Sequence, residues 1–178
     1  PALRSMAPER CWYLGSLSKS VSAALRFGYV VCPTGMGEAG RLTAQHGFFS
    51  LSQPVSSLCL ELLVSGAAAA IRDKVHQEMS ERLLMMVNRL GAFDLSWQAG
   101  IPFAWLRLPQ GWRASTFMRM AEQEGVLVRS ADQYALVHGR APNAVRLAVP
   151  GNIARQNLES ALATLEHLLP RPPSDMAV

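Results

Sequence analysis

The segment Gly15-Ser16-Leu17-Ser18-Lys19 offers the first chemistry in this chain, an amine beside two hydroxyls. Arg26 follows seven residues after the lysine, within Leu25-Arg26-Phe27-Gly28-Tyr29. A lysine in a turn directly after a buried strand can be partly desolvated, which lowers its pKa and makes its amine nucleophilic. Hydroxyl donors and a forked guanidinium next to it suit a dianionic phosphate. A Schiff-base lysine beside a phosphate pocket is what pyridoxal phosphate requires. The plainer reading of the same residues is a solvated turn lysine.

The second chemical feature is Arg146, inside the otherwise apolar run Asn143-Ala144-Val145-Arg146-Leu147. A guanidinium in such a strand needs an anionic partner, because burying it alone is expensive. Read from the residues alone, that partner completes a buried or rim ion pair, for instance as a glutamate of the last helix. The remaining polar residues carry less. His46, His76, His138 and His167 lack metal-ligand spacing, and His76 reads as a boundary residue of a long helix. Cys11, Cys32 and Cys59 form neither a disulfide framework nor a zinc pattern; they fit reduced, intracellular thiols, with Cys11 buried. Glu78 and Glu81 flank Arg82 as a solvated helix face. Trp105 reads as a core aromatic, and Met79, Met85, Met86, Met118 and Met120 as packing.

The elements that must position these residues alternate between strand and helix. Cys11 to Gly15 reads as a buried strand, Ser16 to Ser20 as a tight turn, and Leu25 to Cys32 as a second strand closed by Pro33. A short helix is expected among Gly35, Gly37 and Gly40. Ser52-Gln53-Pro54 starts a helical region that runs to Leu90, bent at Ser65-Gly66. Its second part carries Ile71, Val75, Met79, Leu83, Met86 and Leu90 at helical spacing and stops at Gly91.

Beyond it, Phe93 to Trp97 and Phe103 to Leu108 are expected to pair across Gln98-Ala99-Gly100. Ser115 is expected to cap a helix to Glu124, followed by strands at Val126 to Arg129, Tyr134 to His138 and Ala144 to Val149. Asn152 is expected to cap a last helix to about Leu169, before Pro170, Pro172 and Pro173.

With these elements on the page, the run YLGSLSKSVSAALRFGYVVCP (residues 13–33) resembles the cofactor-lysine segment of fold-type-I aminotransferases, roughly S-x-S-K-x-x-x-P-x-x-R-x-G-Y. The resemblance implies that Lys19 forms the Schiff base with pyridoxal 5'-phosphate and shuttles the substrate proton. It implies that Ser16 and Arg26 hold the phosphate, with Ser18 a weaker participant. Ala23 and Ala24 depart from the usual proline and glycine. Arg146 would grip a substrate α-carboxylate.

Ile101 to Pro109 and Gly125 to Val128 resemble strands of the aminotransferase-like domains in the MocR subgroup of GntR transcription regulators. Ser130-Ala131-Asp132-Gln133-Tyr134 replaces the family's P-G-x-x-F.

In that family the glycine-rich phosphate turn, the ring-stacking aromatic and the aspartate for the ring nitrogen all precede the lysine. The expected fold is therefore α/β, the terminal fragment of a fold-type-I transferase. Residues 1–66 would be the remnant of the large domain, 67–91 a long connecting helix, 92–170 a small C-terminal α/β sandwich and 171–178 a tail. The chain opens on Pro1 without a signal-peptide pattern, as a piece of a longer protein would.

The resemblance implies the effector-sensing domain of a cytoplasmic, homodimeric regulator. DNA would be bound by a winged helix-turn-helix upstream, and an amino acid or related small molecule would be the effector. The alternative is the C-terminal half of a free amino-acid aminotransferase, and a further one is a degenerate domain kept for dimerisation. The piece alone is expected to be inactive.

Composition bounds the rest. In 178 residues, 49% are hydrophobic and 17% charged, which is ordinary globular material on the scale of one domain. The net charge of +4 is scattered without a basic run and does not form a nucleic-acid face. The longest apolar stretch, Leu58 to Ile71, contains Glu61 and is too short to span a bilayer.

Overall fold

A computed structural model describes residues 2–47 and 52–173. The chain divides into two compact units, Pro1–Val75 and His76–Val178, with the boundary inside one continuous helix.

The first unit opens with a short helix α1 (Leu3–Met6) and a two-stranded antiparallel sheet, β1 (Tyr13–Ser16) with β2 (Gly28–Val31). Tyr13 pairs with Val31 and Ser16 with Gly28. Gly15 lies opposite Tyr29, whose ring occupies the space that a Cβ at residue 15 would need. The second strand is shorter than its apolar run suggests. Ala23–Leu25 closes into a 3-10 turn because Ser22 Oγ accepts the Ala24 amide at 3.3 Å, and Arg26 then takes a left-handed backbone with φ 47°.

Helices α2 (Gly37–Gly47) and α3 (Gln53–Val64) follow, α3 with Pro54 in its first turn as expected. At Ser65-Gly66 the chain bends by 82° into α4 (Ala67–Leu90), with Gly66 at φ 77°. No single helix among the described residues is long and apolar enough to cross a membrane.

Few of the described residues of this unit are buried: Leu17, Pro33, Cys59 and Ala68. Leu14, Val30, Leu60 and Val64 stand in solvent. Cys11, expected inside, is only half-buried, and Cys59 is the buried thiol.

The second unit is a four-stranded antiparallel sheet in the order β3-β4-β6-β5, with helices against one face. In sequence, β3 (Leu95–Ser96) and β4 (Phe103–Arg107) precede helix α5 (Ala114–Gln123), β5 (Arg129–Ser130) and β6 (Ala144–Ala148) follow it, and helix α6 (Arg155–Leu168) comes last. Alternation along the strands sends Ala104, Leu106, Val145 and Leu147 into the core. There they meet Leu83, Met86 and Leu90 of α4, Phe117 and Ala121 of α5, and Leu158, Leu162 and Leu165 of α6. Trp112 joins this core, crossing Phe117 edge-on at 5.0 Å and donating to the Leu169 carbonyl at 2.9 Å.

Several expected elements are corrected here. The strand at Tyr134 to His138 does not form. Ser130 Oγ accepts the Asp132 amide, and residues Ala131–Tyr134 wind into a 3-10 turn. The strand expected at Val126 to Arg129 reduces to Arg129–Ser130, because Val126 bonds back to the Ala121 carbonyl at the end of α5.

The two helix caps also move. Ser115 does not cap α5; Asn143 does so from a different part of the chain, its Oδ1 accepting the Ala114 amide at 2.9 Å. α6 starts at Arg155 after Ala154, not at Asn152. The tail expected at 171–178 falls, from residue 174 on, outside the described residues.

Candidate functional site

Lys19 sits at the turn end of the β1–β2 hairpin. The Leu17 amide donates to the Phe27 carbonyl at 3.1 Å, and the Leu17 carbonyl accepts the Val21 and Ser22 amides. These bonds fold residues 17–22 tightly. Ser16 Oγ donates to the Phe27 carbonyl at 3.1 Å and accepts the Ser18 amide at 3.1 Å. Its hydroxyl proton must leave that carbonyl before it can serve a phosphate. Lys19 and Arg26 are exposed, so the burial expected around the lysine is not supplied by the described residues.

The chemistry of this donor set nevertheless fits a phosphorylated aldehyde: an amine, hydroxyls and a guanidinium at one hairpin end. No carboxylate among the described residues pairs with either cation. Glu9, Glu38 and Asp73 of this unit pair with Arg10, Arg41 and Arg72 respectively.

In the second unit Arg146 lies on the sheet face opposite the core. Its Nη1 donates to the Tyr134 hydroxyl at 2.8 Å. Its guanidinium carbon stands 4.5 Å from the centre of the Phe103 ring and 5.0 Å from that of Tyr134. Its Nε is buried without a hydrogen-bond partner. Leaving such a donor unpaired costs about 1–3 kcal/mol. Among the described residues no glutamate of α6 reaches it; Glu166 pairs with Arg89. The arginine is thus preorganised by aromatic rings and a hydroxyl, without an acid of the described chain.

Trp105 is corrected along with it. It shares this face, half-buried, and meets Tyr134 edge-on at 5.4 Å rather than filling the core. Trp105, Tyr134, Leu136 and Pro142 line a cavity of about 460 Å³, with Arg107 and Arg140 also on its wall.

Arg82 is the other correction. It is buried, not part of a solvated face. Its Nε donates to Glu78 at 2.6 Å, and its two terminal nitrogens donate to the carbonyls of Pro150 and Ile153 at 2.9 Å each. Arg155 spans Glu78 and Glu81 from the start of α6. Hydrogen bonds from Arg155, then Arg82, hold the Glu78 carboxyl down to about 2. The whole cluster ties α4 to the loop that follows Arg146 and to α6.

Sequence reasoning singled out Ser16, Ser18, Lys19, Arg26 and Arg146, but not Tyr134 or Phe103, which hold Arg146, or Arg129, which pairs with it across the sheet. A signal existed for the aromatic pair. Phe103 and Trp105 alternate with the core residues Ala104 and Leu106, so they must share the opposite face.

With this geometry established, comparison with known proteins becomes informative. No protein-family model matches the chain. Over 175 residues, 95% of its length, the chain is 32% identical to the uncharacterized HTH-type transcriptional regulator YdeF of Bacillus subtilis (strain 168). It spans 37% of that protein.

Among solved structures it is similar to LysN, the alpha-aminoadipate aminotransferase of Thermus thermophilus. The TM-score is 0.73 at 22% identity, over 94% of this chain and 44% of that one. The fold is that of the C-terminal part of a fold-type-I aminotransferase.

The Pyrococcus horikoshii kynurenine aminotransferase gives a TM-score of 0.75 at 18% identity, over 91% of this chain and 41% of that one. LysN was solved with N-(5'-phosphopyridoxyl)-L-leucine, and the kynurenine aminotransferase with PMP. The chain is thus an aminotransferase-fold domain homologous to a helix-turn-helix regulator, and the resemblance read from its sequence is borne out.

Proposed function

We propose that this chain is the ligand-sensing part of a MocR-type, GntR-family transcription regulator. Its aminotransferase-like domain takes an amino acid or related effector, and DNA is bound by a winged helix-turn-helix elsewhere in the full-length, cytoplasmic, homodimeric protein. The observation that carries this reading is the 32% identity to an HTH-type regulator along 95% of the chain, against 17–23% to the solved relatives of this fold.

Residues 1–66 would serve as the remnant of the large domain, 67–91 as the connecting helix and 92–170 as the small domain. Lys19 would hold pyridoxal 5'-phosphate through its amine, while Ser16, Ser18 and Arg26 hold the phosphate. When bound, that group would supply an electrophilic aldehyde carbon and an electron sink. Lys19 then carries the proton at its Nζ, and Arg146, steadied by Tyr134, receives the ligand carboxylate as a forked pair. The donor sets described above support both roles. This part alone is expected to show no turnover.

The test is borohydride reduction of the full-length protein as isolated from cells, followed by peptide mapping. A cofactor mass fixed on the Lys19 peptide, absent in Lys19→Ala, is the expected result. The same preparation shifts DNA from its own upstream region, and an amino acid alters that shift. A protein that fixes the cofactor and turns over amino acids without binding DNA would be a free aminotransferase instead.

A further inference from the structure

One row of side chains crosses the sheet on the face opposite the core. Ser96 of β3 pairs with Trp105 of β4, Trp105 with Arg146 of β6, and Arg146 with Arg129 of β5. Directly paired residues of antiparallel strands point to the same face. The next pair, Ser130 with Val145, is buried on the core side, which fixes Arg129 on the Arg146 side.

Two arginines therefore stand directly opposite one another. Like charges in that position destabilise a sheet unless something neutralises them. Among the described residues no carboxylate does so. Arg129 finds only the neutral Gln133, donating to its Oε1 at 3.2 Å. Asp132, the nearest acid in the chain, is turned to its own loop by a 2.6 Å bond from Ser130 Oγ. Arg146 keeps a buried Nε without a partner.

We infer that Arg129 is a specificity-determining residue that receives a second acidic group of the ligand, so that the effector or substrate is a dianionic amino acid. This rests on the reading that Arg146 receives the first carboxylate. Cross-strand neighbours have Cβ atoms about 5 Å apart, close enough for two guanidinium forks to hold the two acidic ends of one small molecule. Arg129 is exposed and free to move onto a ligand, whereas Arg146 is fixed by its rings. The first is suited to selecting the second acidic group and the second to anchoring the common one.

The experiment titrates the full-length protein, cofactor present, with two isosteric pairs: L-glutamate with L-glutamine, and L-aspartate with L-asparagine. One acid is expected to bind roughly tenfold or more tightly than its amide, as a charge-assisted bond implies. Arg129→Gln is expected to abolish that preference and leave amide binding unchanged. Equal affinity of both acids and their amides, a parallel loss for acid and amide in Arg129→Gln, or no binding by any of the four overturns the inference. The underlying reading has its own signature. If Arg146→Gln leaves every titration unchanged, or borohydride fixes no cofactor on Lys19, that reading fails whatever Arg129 does.

Discussion

The Tyr134 hydroxyl accepts a 2.8 Å hydrogen bond from Arg146, and the same tyrosine ring lies 5.0 Å from the guanidinium carbon. One side chain thus both orients the arginine and shields one of its faces. Tyr134→Phe separates the two effects, since the ring stays and the acceptor goes. Amino-acid binding by the full-length protein should weaken by up to about tenfold, the worth of one ordinary hydrogen bond. The thermal midpoint should hold. Tyr134→Ala also removes the edge contact with Trp105 and should lower the midpoint as well.

Arg82 and Arg155 share the carboxylate of Glu78, yet only Arg82 is buried. Arg82→Met keeps the volume but strips the Pro150 and Ile153 carbonyls of their donors. The expected loss is about 3 kcal/mol, between that of an unmade buried hydrogen bond and that of a broken buried pair. Arg155→Ala removes two solvent-screened pairs, to Glu78 and Glu81, and should lower the urea midpoint much less than Arg82→Met. Equal effects of the two substitutions would refute the assignment.

Acid sensitivity follows from the same cluster. Glu78 is lowered from its ordinary 4.5 to about 2, by the hydrogen bond from Arg155 first and that from Arg82 second. Glu81 is lowered too, chiefly by Arg155 and then by Gln77. A carboxyl depressed in the folded state contributes stability above its unfolded pKa and loses it as pH falls toward its folded one. The contribution of Glu78 is therefore whole above about 4.5 and gone below about 2. Urea midpoints of wild type and Glu78→Gln should differ near neutrality and converge across that window.

The start of α5 provides a contrast between neighbours in sequence and neighbours in space. Asn143 accepts the Ala114 amide at 2.9 Å and donates to the Trp112 carbonyl at 2.8 Å, so it binds both sides of the helix start. Asn143→Ala should cost about 1–2 kcal/mol in denaturant unfolding, as lost caps do. Ser115→Ala should be close to neutral.

Much of this architecture was legible because burial writes a period into the sequence. The α4 stripe Leu83, Met86 and Leu90 and the alternation through β4 and β6 are such records, and Gly66 and Gly91 punctuate them. Lys19, Arg26 and Arg146 stood out for another reason, their resemblance to a family's pattern of residue types.

What escaped depends on groups far apart in the chain. Asn143 replaces a local serine cap from 29 residues away. Arg82 looks solvated beside two glutamates until Pro150 and Ile153 fold over it. The pairing of Arg129 with Arg146 exists only once the sheet order is known.

Arg26 carries a last consequence. Its φ of 47° is a conformation that glycine adopts freely and that a side chain makes about 1 kcal/mol or more harder to hold. Arg26→Gly would therefore relax the hairpin end while erasing its cation. At this residue the backbone conformation favours a glycine, while the phosphate role proposed for Arg26 would need its guanidinium.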